Sequence, residues 1–156
     1  LVLIQSIRQN SDIPLIAAGG IVDGVGMAAV FAAGADGIQM GTRFVSSKES
    51  PVHINFKNKI LESNIDGTLM LNKSSKPVIR ALKSELTHSI DKKGMMDMAD
   101  FMKIQELYFD GNMEAAPALS GQSVGLINEI KTVKQIIEEI INDFNKVCKK
   151  MGNTKF

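Results

Sequence analysis

The segment Pro14–Phe44 constrains the fold of this chain more than any other part of the sequence. It contains two short apolar runs, and each run leads into a glycine turn, at Gly19-Gly20 and at Gly41-Thr42. The first run lacks alternating polar residues, which is typical of a parallel strand buried on both faces. A helical stretch separates the runs, so the sequence predicts a parallel β-α-β unit. Glycine turns spaced in this way are how the last two strands of a (β/α)8 barrel hold a phosphate group.

The residue types in these turns suit a phosphate. Glycine at a strand end presents its backbone N–H without a Cβ in the way, and a following helix adds its N-terminal dipole. Thr42 can add a hydroxyl donor, and Arg43 supplies a nearby charge. Gln39 is a polar residue in an otherwise apolar strand, and buried amides need partners. We expect Gln39 to face either a cofactor or a polar group of another strand.

The same segment contains a pattern that imitates a different cofactor site. Gly24, Gly26 and Ala29 match G-x-G-x-x-A, the dinucleotide fingerprint. In a true fingerprint the first glycine follows the strand directly, and an acidic residue ends the next strand. Here the strand ends at Ala18 and the next one ends in Gln39-Met40. The sequence therefore disfavours a Rossmann site.

Composition excludes several classes of function. The chain has 156 residues, 44% of them hydrophobic and 22% charged, with a formal net charge of +1. This balance gives no electrostatic footprint for nucleic acid or an anionic membrane. No apolar run approaches the roughly 20 residues of a spanning helix. The single cysteine, Cys148, rules out an internal disulfide framework and favours a cytoplasmic location, and we expect it to pack rather than react.

No cluster of residues with metal-ligand spacing is present in the sequence. His53 and His88 have no nearby carboxylate or cysteine, so we expect surface or capping roles for both. Most of the nine methionines are best explained by helix packing. Met95, Met96 and Met98 could alternatively line an apolar substrate pocket.

The sequence suggests three regions: the last βα units of a barrel at 1–48, a helical cap or insertion at 49–118, and a return loop with a C-terminal helix at 119–156. Three helices are predicted in the cap, at about 55–64, 76–91 and 98–109. The second prediction rests on Val78, Leu82 and Leu86, which are spaced by four residues. The last helix is amphipathic, and Thr132 with Gln135 forms a capping-box pattern.

Three stretches of the chain resemble the nitronate monooxygenase family, formerly called 2-nitropropane dioxygenase. They read AAGGIVDG, GADGIQMGTRFVSSKES and GQSVGLI, in that order. The family includes the FMN-dependent enoyl-acyl-carrier-protein reductase. The resemblance implies an α/β fold: the C-terminal part of a TIM barrel that binds FMN, with an inserted mainly helical domain and a C-terminal amphipathic helix.

The resemblance also implies roles for individual residues. Gly19, Gly20, Gly41 and Thr42 would hold the FMN phosphate. Gln39 and Met40 would lie beside it at the strand end. Ser120-Gly121-Gln122 would approach the pocket from the cap side, with Gln122 at the substrate. The flavin would perform the redox chemistry. The family's catalytic histidine lies in a part that this chain does not match, so no catalytic residue is carried over.

The chain begins Leu-Val-Leu-Ile-Gln rather than with Met, and we interpret it as a piece of a longer enzyme. It matches only the C-terminal half of the family, so we expect it to be inactive alone. Two parallel strands have two open apolar edges. The expected partners are therefore a second copy of the chain or the missing N-terminal half.

The reaction that this resemblance implies first is oxidation of alkyl nitronates with O2. The alternative within the family is reduction of a 2-enoyl thioester with NAD(P)H. Two interpretations of another class stay open: a phosphosugar or nucleotide barrel with the same phosphate grip, and an interaction module without redox activity.

Overall fold

The computed structural model describes residues 1–154. The chain forms two compact units, one made of Leu1–Met40 with the chain from Thr132 onwards, the other of Gly41–Lys131. Each unit is considered separately below. No helix within residues 1–154 combines the length and the apolarity that crossing a bilayer requires.

The first unit contains a two-stranded parallel sheet and three helices. In chain order these are α1 (Val2–Asn10), β1 (Ile16–Ala18), α2 (Gly24–Ala32), β2 (Gly37–Gln39) and α7 (Val133–Gly152). Strands β1 and β2 pair in parallel, with Ile16 opposite Gly37 and Ala18 opposite Gln39. The predicted β-α-β unit is confirmed.

Local sequence signals explain where the helices of the first unit begin. The Asp23 carboxylate accepts a hydrogen bond of 2.7 Å from the Gly26 amide and so caps α2. Gly34, just past the end of α2, adopts a φ of +108°, which suits glycine. Thr132 and Gln135 form the predicted capping box at the start of α7.

Cys148 is exposed on α7, so the prediction that it packs is wrong.

Helices α2 and α7 pack closely against one another. Ile136 and Ile140 of α7 are buried, and the Phe31 and Phe144 rings meet edge to face with centroids 5.4 Å apart. A Cβ at Gly24 would lie only 2.3 Å from the Phe144 amide nitrogen. Gly24 is therefore required for helix packing, which gives the imitation dinucleotide pattern a structural explanation.

The second unit is mixed rather than purely helical. It contains short helices, an antiparallel hairpin, one π-helical turn at Glu106–Asp110 and one 3-10 helix at Gln122–Leu126. The remaining elements are α3 (Thr42–Val45), α4 (Ile54–Glu62), β3 (Thr68–Leu71), β4 (Ile79–Leu82), α5 (Glu85–Lys93) and α6 (Ala99–Met102). Its apolar cluster of Leu71, Ala81 and Ile90 joins the hairpin to α5. Of the predicted cap helices, the one at 55–64 is confirmed by α4.

The predicted helix at 76–91 is wrong. Residues Ile79–Leu82 instead form β4, which pairs antiparallel with β3 so that Leu71 faces Ile79. A helix begins only at Glu85, where the Ser84 hydroxyl caps it by accepting from the Thr87 amide. The four-residue spacing of Val78, Leu82 and Leu86 therefore spans a strand, a cap and a helix.

The predicted helix at 98–109 is also wrong as one element. This stretch is divided into α6 and the π-helical turn, and Gly111 follows that turn with a φ of +75°.

Candidate functional site

The carboxyl ends of β1 and β2 lie side by side in the first unit. Because the strands are parallel and Ala18 pairs with Gln39, the residues that follow them, Gly19 and Met40, leave adjacent strand ends. In barrel and open α/β folds this edge of a parallel sheet carries the ligand sites. Gly19, Gly20, Gln39 and Met40 are therefore placed together on one edge.

The Gly19-Gly20 turn has an open backbone. Both residues have positive φ angles, +94° and +73°, which a side chain would strain. No atom lies within 4 Å of where a Cβ would stand at either residue. Glycine is therefore required at both positions by the positive φ angles, because neighbouring atoms leave room for a Cβ. The same space lets a ligand approach the backbone of the turn.

Gln39 and Met40 differ in their surroundings. Gln39 is exposed at the end of β2. Met40 is partly buried and packs against the apolar cluster of Ala17, Ile21, Val30 and Ala35. Gln39 is therefore the more accessible of the two, while Met40 contributes to the core of its unit.

In the second unit, Gly41 and Thr42 begin helix α3. Gly41 is exposed, has ordinary backbone angles (φ −98°, ψ −72°), and has no atom within 4 Å of an added Cβ. The Thr42 hydroxyl oxygen accepts a hydrogen bond of 3.0 Å from the Gly121 amide. Since a hydroxyl can donate while it accepts, the Thr42 proton stays available to a ligand.

This contact brings together two segments that are far apart in sequence. Thr42 fixes the backbone immediately before Gln122, which is exposed and opens the 3-10 helix. Gly125 in that helix lies against the backbone of the 64–65 segment, where a Cβ would come within 2.4 Å of the Ile65 amide nitrogen. The 3-10 helix is thus held by backbone contacts, and Gln122 stands at its exposed end.

Ser120 adds a polar group beside Gln122, in the segment that the resemblance brings to the pocket from the cap side. It is only 7% exposed, and its hydroxyl has no hydrogen-bond partner among residues 1–154. Its amide donates to the Arg80 carbonyl oxygen at 3.1 Å, which anchors it to β4. A buried polar atom without a partner is uncommon in native proteins and marks a place where a ligand can supply one.

Arg43 does not extend from the turn as the sequence suggested. The residue is buried, and its guanidinium donates to the Glu129 carbonyl oxygen at 3.0 Å and to the Ser46 hydroxyl at 3.3 Å. These contacts show that Arg43 links α3 to the segment that contains Glu129.

The two histidines follow the sequence interpretation. His53 caps α4, because its Nδ1 accepts from the Asn55 amide at 3.2 Å, and His88 is exposed on α5. Within residues 1–154, no group of three or more histidine, cysteine or acidic side chains is arranged to hold a metal ion. Close to His53, burial raises the pKa of the Tyr108 phenol above its ordinary value.

Comparison with known proteins places the chain in a family. Residues 1–143 match the family model described as nitronate monooxygenase. A CoA-thioester dehydrogenase of Rhodococcus jostii, (3aS,4S,5R,7aS)-5-hydroxy-7a-methyl-1-oxo-octahydro-1H-indene-4-carboxyl-CoA dehydrogenase, is 29% identical, over 96% of this chain and 55% of the relative. A probable nitronate monooxygenase of Staphylococcus saprophyticus is 28% identical, over 93% of this chain and 42% of the relative.

Two solved structures resemble the fold. FabK from Thermotoga maritima superposes with a TM-score of 0.91 at 39% identity, covering 96% of this chain and 50% of FabK. Nitroalkane oxidase from Streptomyces ansochromogenes gives 0.82 at 21% identity, covering 96% of this chain and 44% of the oxidase. Both neighbours are TIM-barrel enzymes, and the chain shares their α/β fold. It spans about half the length of these relatives. The chain belongs to the nitronate monooxygenase family of oxidoreductases.

Proposed function

We propose that this chain is the C-terminal part of an FMN-dependent reductase that reduces 2-enoyl thioesters with NAD(P)H. The observation that carries the proposal is the 39% identity to FabK, an enoyl-acyl-carrier-protein reductase, over 96% of this chain. Identity to the curated nitronate monooxygenases is lower, at 28% to 30%. In this assignment β1 and β2 are the last two strands of a TIM barrel.

The strand-end residues fit the phosphate of FMN. The amides of Gly19, Gly20 and Gly41 stand where an added Cβ would meet no atom within 4 Å, so a phosphate could approach the backbone there. Thr42 can donate its hydroxyl proton while it holds Gly121. In this proposal these four residues bind the phosphate and Gln39 lies beside it. FMN, when bound, supplies the redox chemistry.

The residues that we propose to meet the substrate belong to the second unit. Gln122 presents its amide at the exposed end of a 3-10 helix that backbone contacts hold in place. The unpartnered Ser120 hydroxyl lies two residues before it. These polar groups could orient the carbonyl oxygen of a thioester. Proton transfer is assigned to no residue of this chain.

A second candidate is oxidation of alkyl nitronates with O2. The match of residues 1–143 to the nitronate monooxygenase model and the staphylococcal relatives favour it. The two candidates share the flavin site and differ in the electron donor and acceptor. The first requires NAD(P)H and an enoyl thioester, and the second requires a nitronate and O2.

Steady-state assays on the full-length protein, loaded with FMN, separate the two. We expect anaerobic NADH or NADPH oxidation that depends on a crotonyl thioester. Oxygen uptake driven by propyl-2-nitronate in the absence of NAD(P)H, without thioester-dependent NAD(P)H oxidation, would instead favour the monooxygenase. A full-length protein that binds no flavin would overturn both and favour a phosphosugar barrel.

A further inference from the structure

The first two residues of α3 hold both ends of the segment that carries the 3-10 helix. The Thr42 hydroxyl oxygen accepts from the Gly121 amide at 3.0 Å, and the Arg43 guanidinium donates to the Glu129 carbonyl oxygen at 3.0 Å. All four residues belong to the second unit. Consecutive residues of one short helix therefore hold the chain before and after the 3-10 helix, which begins with Gln122.

Gln122 is an exposed residue between two neighbours that are held in place. Ser123 is only 8% exposed, and its burial fixes the backbone after Gln122. Strand β4 holds the chain two residues before Gln122 through the Ser120 amide. The residue between them, Gly121, is held by its bond to Thr42. Of these constraints, only the bond to Thr42 involves a proposed phosphate residue, so it can make the placement of Gln122 depend on the phosphate.

One oxygen atom of Thr42 can serve both contacts. A threonine hydroxyl has one proton to donate and two lone pairs that accept. The bond from the Gly121 amide uses a lone pair, so the proton can be donated to a phosphate oxygen at the same time. Donation to an anion gives a charge-assisted hydrogen bond, and hydrogen bonds that share a hydroxyl strengthen one another. By the reciprocity of linked sites, a firmly held Gly121 in turn favours the phosphate.

We propose that Thr42 is a positioning residue: it holds the Gly121 amide, and with it Gln122, more firmly when its hydroxyl also donates to the phosphate of FMN. The proposal rests on the phosphate site of the proposed function, which the reductase and the monooxygenase candidates share. Occupancy of the cofactor site and placement of the proposed substrate residue are then linked through one hydroxyl group.

Amide hydrogen exchange on the full-length protein, labelled with 15N-glycine, tests this link. The FMN-bound protein is compared with the riboflavin-bound protein, because riboflavin has the same ring system and lacks the phosphate. If riboflavin is not retained, the flavin-free protein is the reference. We expect the Gly121 amide to exchange about fivefold more slowly with FMN, as expected when one hydrogen bond is strengthened. The Gly94 amide, which donates to the Ile90 carbonyl oxygen at 3.0 Å, is the control and should exchange equally in both proteins.

Three threonine variants separate the link from a general effect on structure. Thr42→Ser keeps a hydroxyl and should keep the fivefold difference. Thr42→Val, measured at a concentration of FMN that saturates it, should abolish the difference. Thr154→Val makes the same chemical change at an exposed position near the end of α7 and should leave the difference intact.

Three results would overturn the positioning role: equal exchange of the Gly121 amide with and without the phosphate, an equal slowing at Gly94, or an undiminished difference in Thr42→Val. The reductase proposal is judged separately, by thioester-dependent NAD(P)H oxidation. A phosphate-dependent Gly121 amide without that turnover would keep the positioning role and reject the reductase. A full-length protein that binds no flavin would reject both.

Discussion

Replacing Gly24 with alanine tests how α2 packs against α7. The new Cβ would lie 2.3 Å from the Phe144 amide nitrogen and 2.4 Å from the Ile140 carbonyl oxygen. Both are backbone atoms of a helix, so no side-chain rotation relieves the overlap. The two helices have to separate, which loosens the packing of Ile136 and Ile140 along α7.

The change in the free energy of unfolding for Gly24→Ala is the sum of two opposing contributions. Overpacking a well-packed core costs about 1–3 kcal/mol, and contact with rigid backbone places this case at the upper end. Alanine recovers at most about 1 kcal/mol because it is a better helix former than glycine. We expect the free energy of unfolding to fall by about 2 kcal/mol, a decrease in Tm of about 4–8 °C.

Thermal unfolding followed by circular dichroism measures this effect, and Gly26→Ala is the matched control in the same helix. The nearest atom to a Cβ at Gly26 is the Asp23 Oδ1, at 3.3 Å, and a shift of a few tenths of an ångström relieves this contact. We expect Gly26→Ala to change the Tm by less than the Gly24 variant does. Equal losses in the two variants would refute the packing explanation of Gly24.

Three further predictions concern the Thr42 hydroxyl, the Asp36 carboxylate and the oligomeric state of the chain. Thr42→Val removes the acceptor for the Gly121 amide and should lower the free energy of unfolding by about 1–2 kcal/mol in urea titrations, while Thr42→Ser should restore it. The Leu15 amide, with help from Arg8, holds the pKa of Asp36 below its ordinary value of 3.8. That stabilisation is present above pH 3.8 and is lost as the pH falls through the lower pKa of the folded state. The Asp36→Asn variant should therefore lose less stability between pH 6 and pH 2 than wild type does. An equal loss in the two proteins would contradict this. Each strand of the first sheet pairs with one neighbour within residues 1–154, and Ile16 is 55% exposed, so light scattering of the 156-residue chain should show oligomers rather than a monomer.

The parts of the fold that local sequence signals encode could be predicted. Thr132 caps α7 through contacts within three residues, and the capping box predicted there from the sequence is confirmed. The β3–β4 hairpin could not be predicted in this way, because its pairing depends on Leu71 meeting Ile79 across a turn. The spacing of apolar residues there fits a helix equally well.

The candidate site likewise combines features that the local sequence encodes with features that depend on residues far apart in the chain. The open turns at Gly19-Gly20 and Gly41 follow from the glycines themselves. The hydrogen bond from the Gly121 amide to Thr42 joins residues 79 positions apart, and no local pattern marks it. The unpartnered hydroxyl of Ser120 is likewise visible only once its burial is known.

FMN retention by the full-length protein tests the central claim most directly. The proteins compared are wild type, Gly41→Val and Gly152→Val, each incubated with FMN, desalted and examined for flavin absorbance. A Cβ at Gly41 or at Gly152 meets no atom within 4 Å, so neither substitution disturbs packing. We predict that wild type and Gly152→Val retain flavin and that Gly41→Val loses it. Equal retention in all three proteins, or a colourless wild type, would contradict the assignment of the phosphate site.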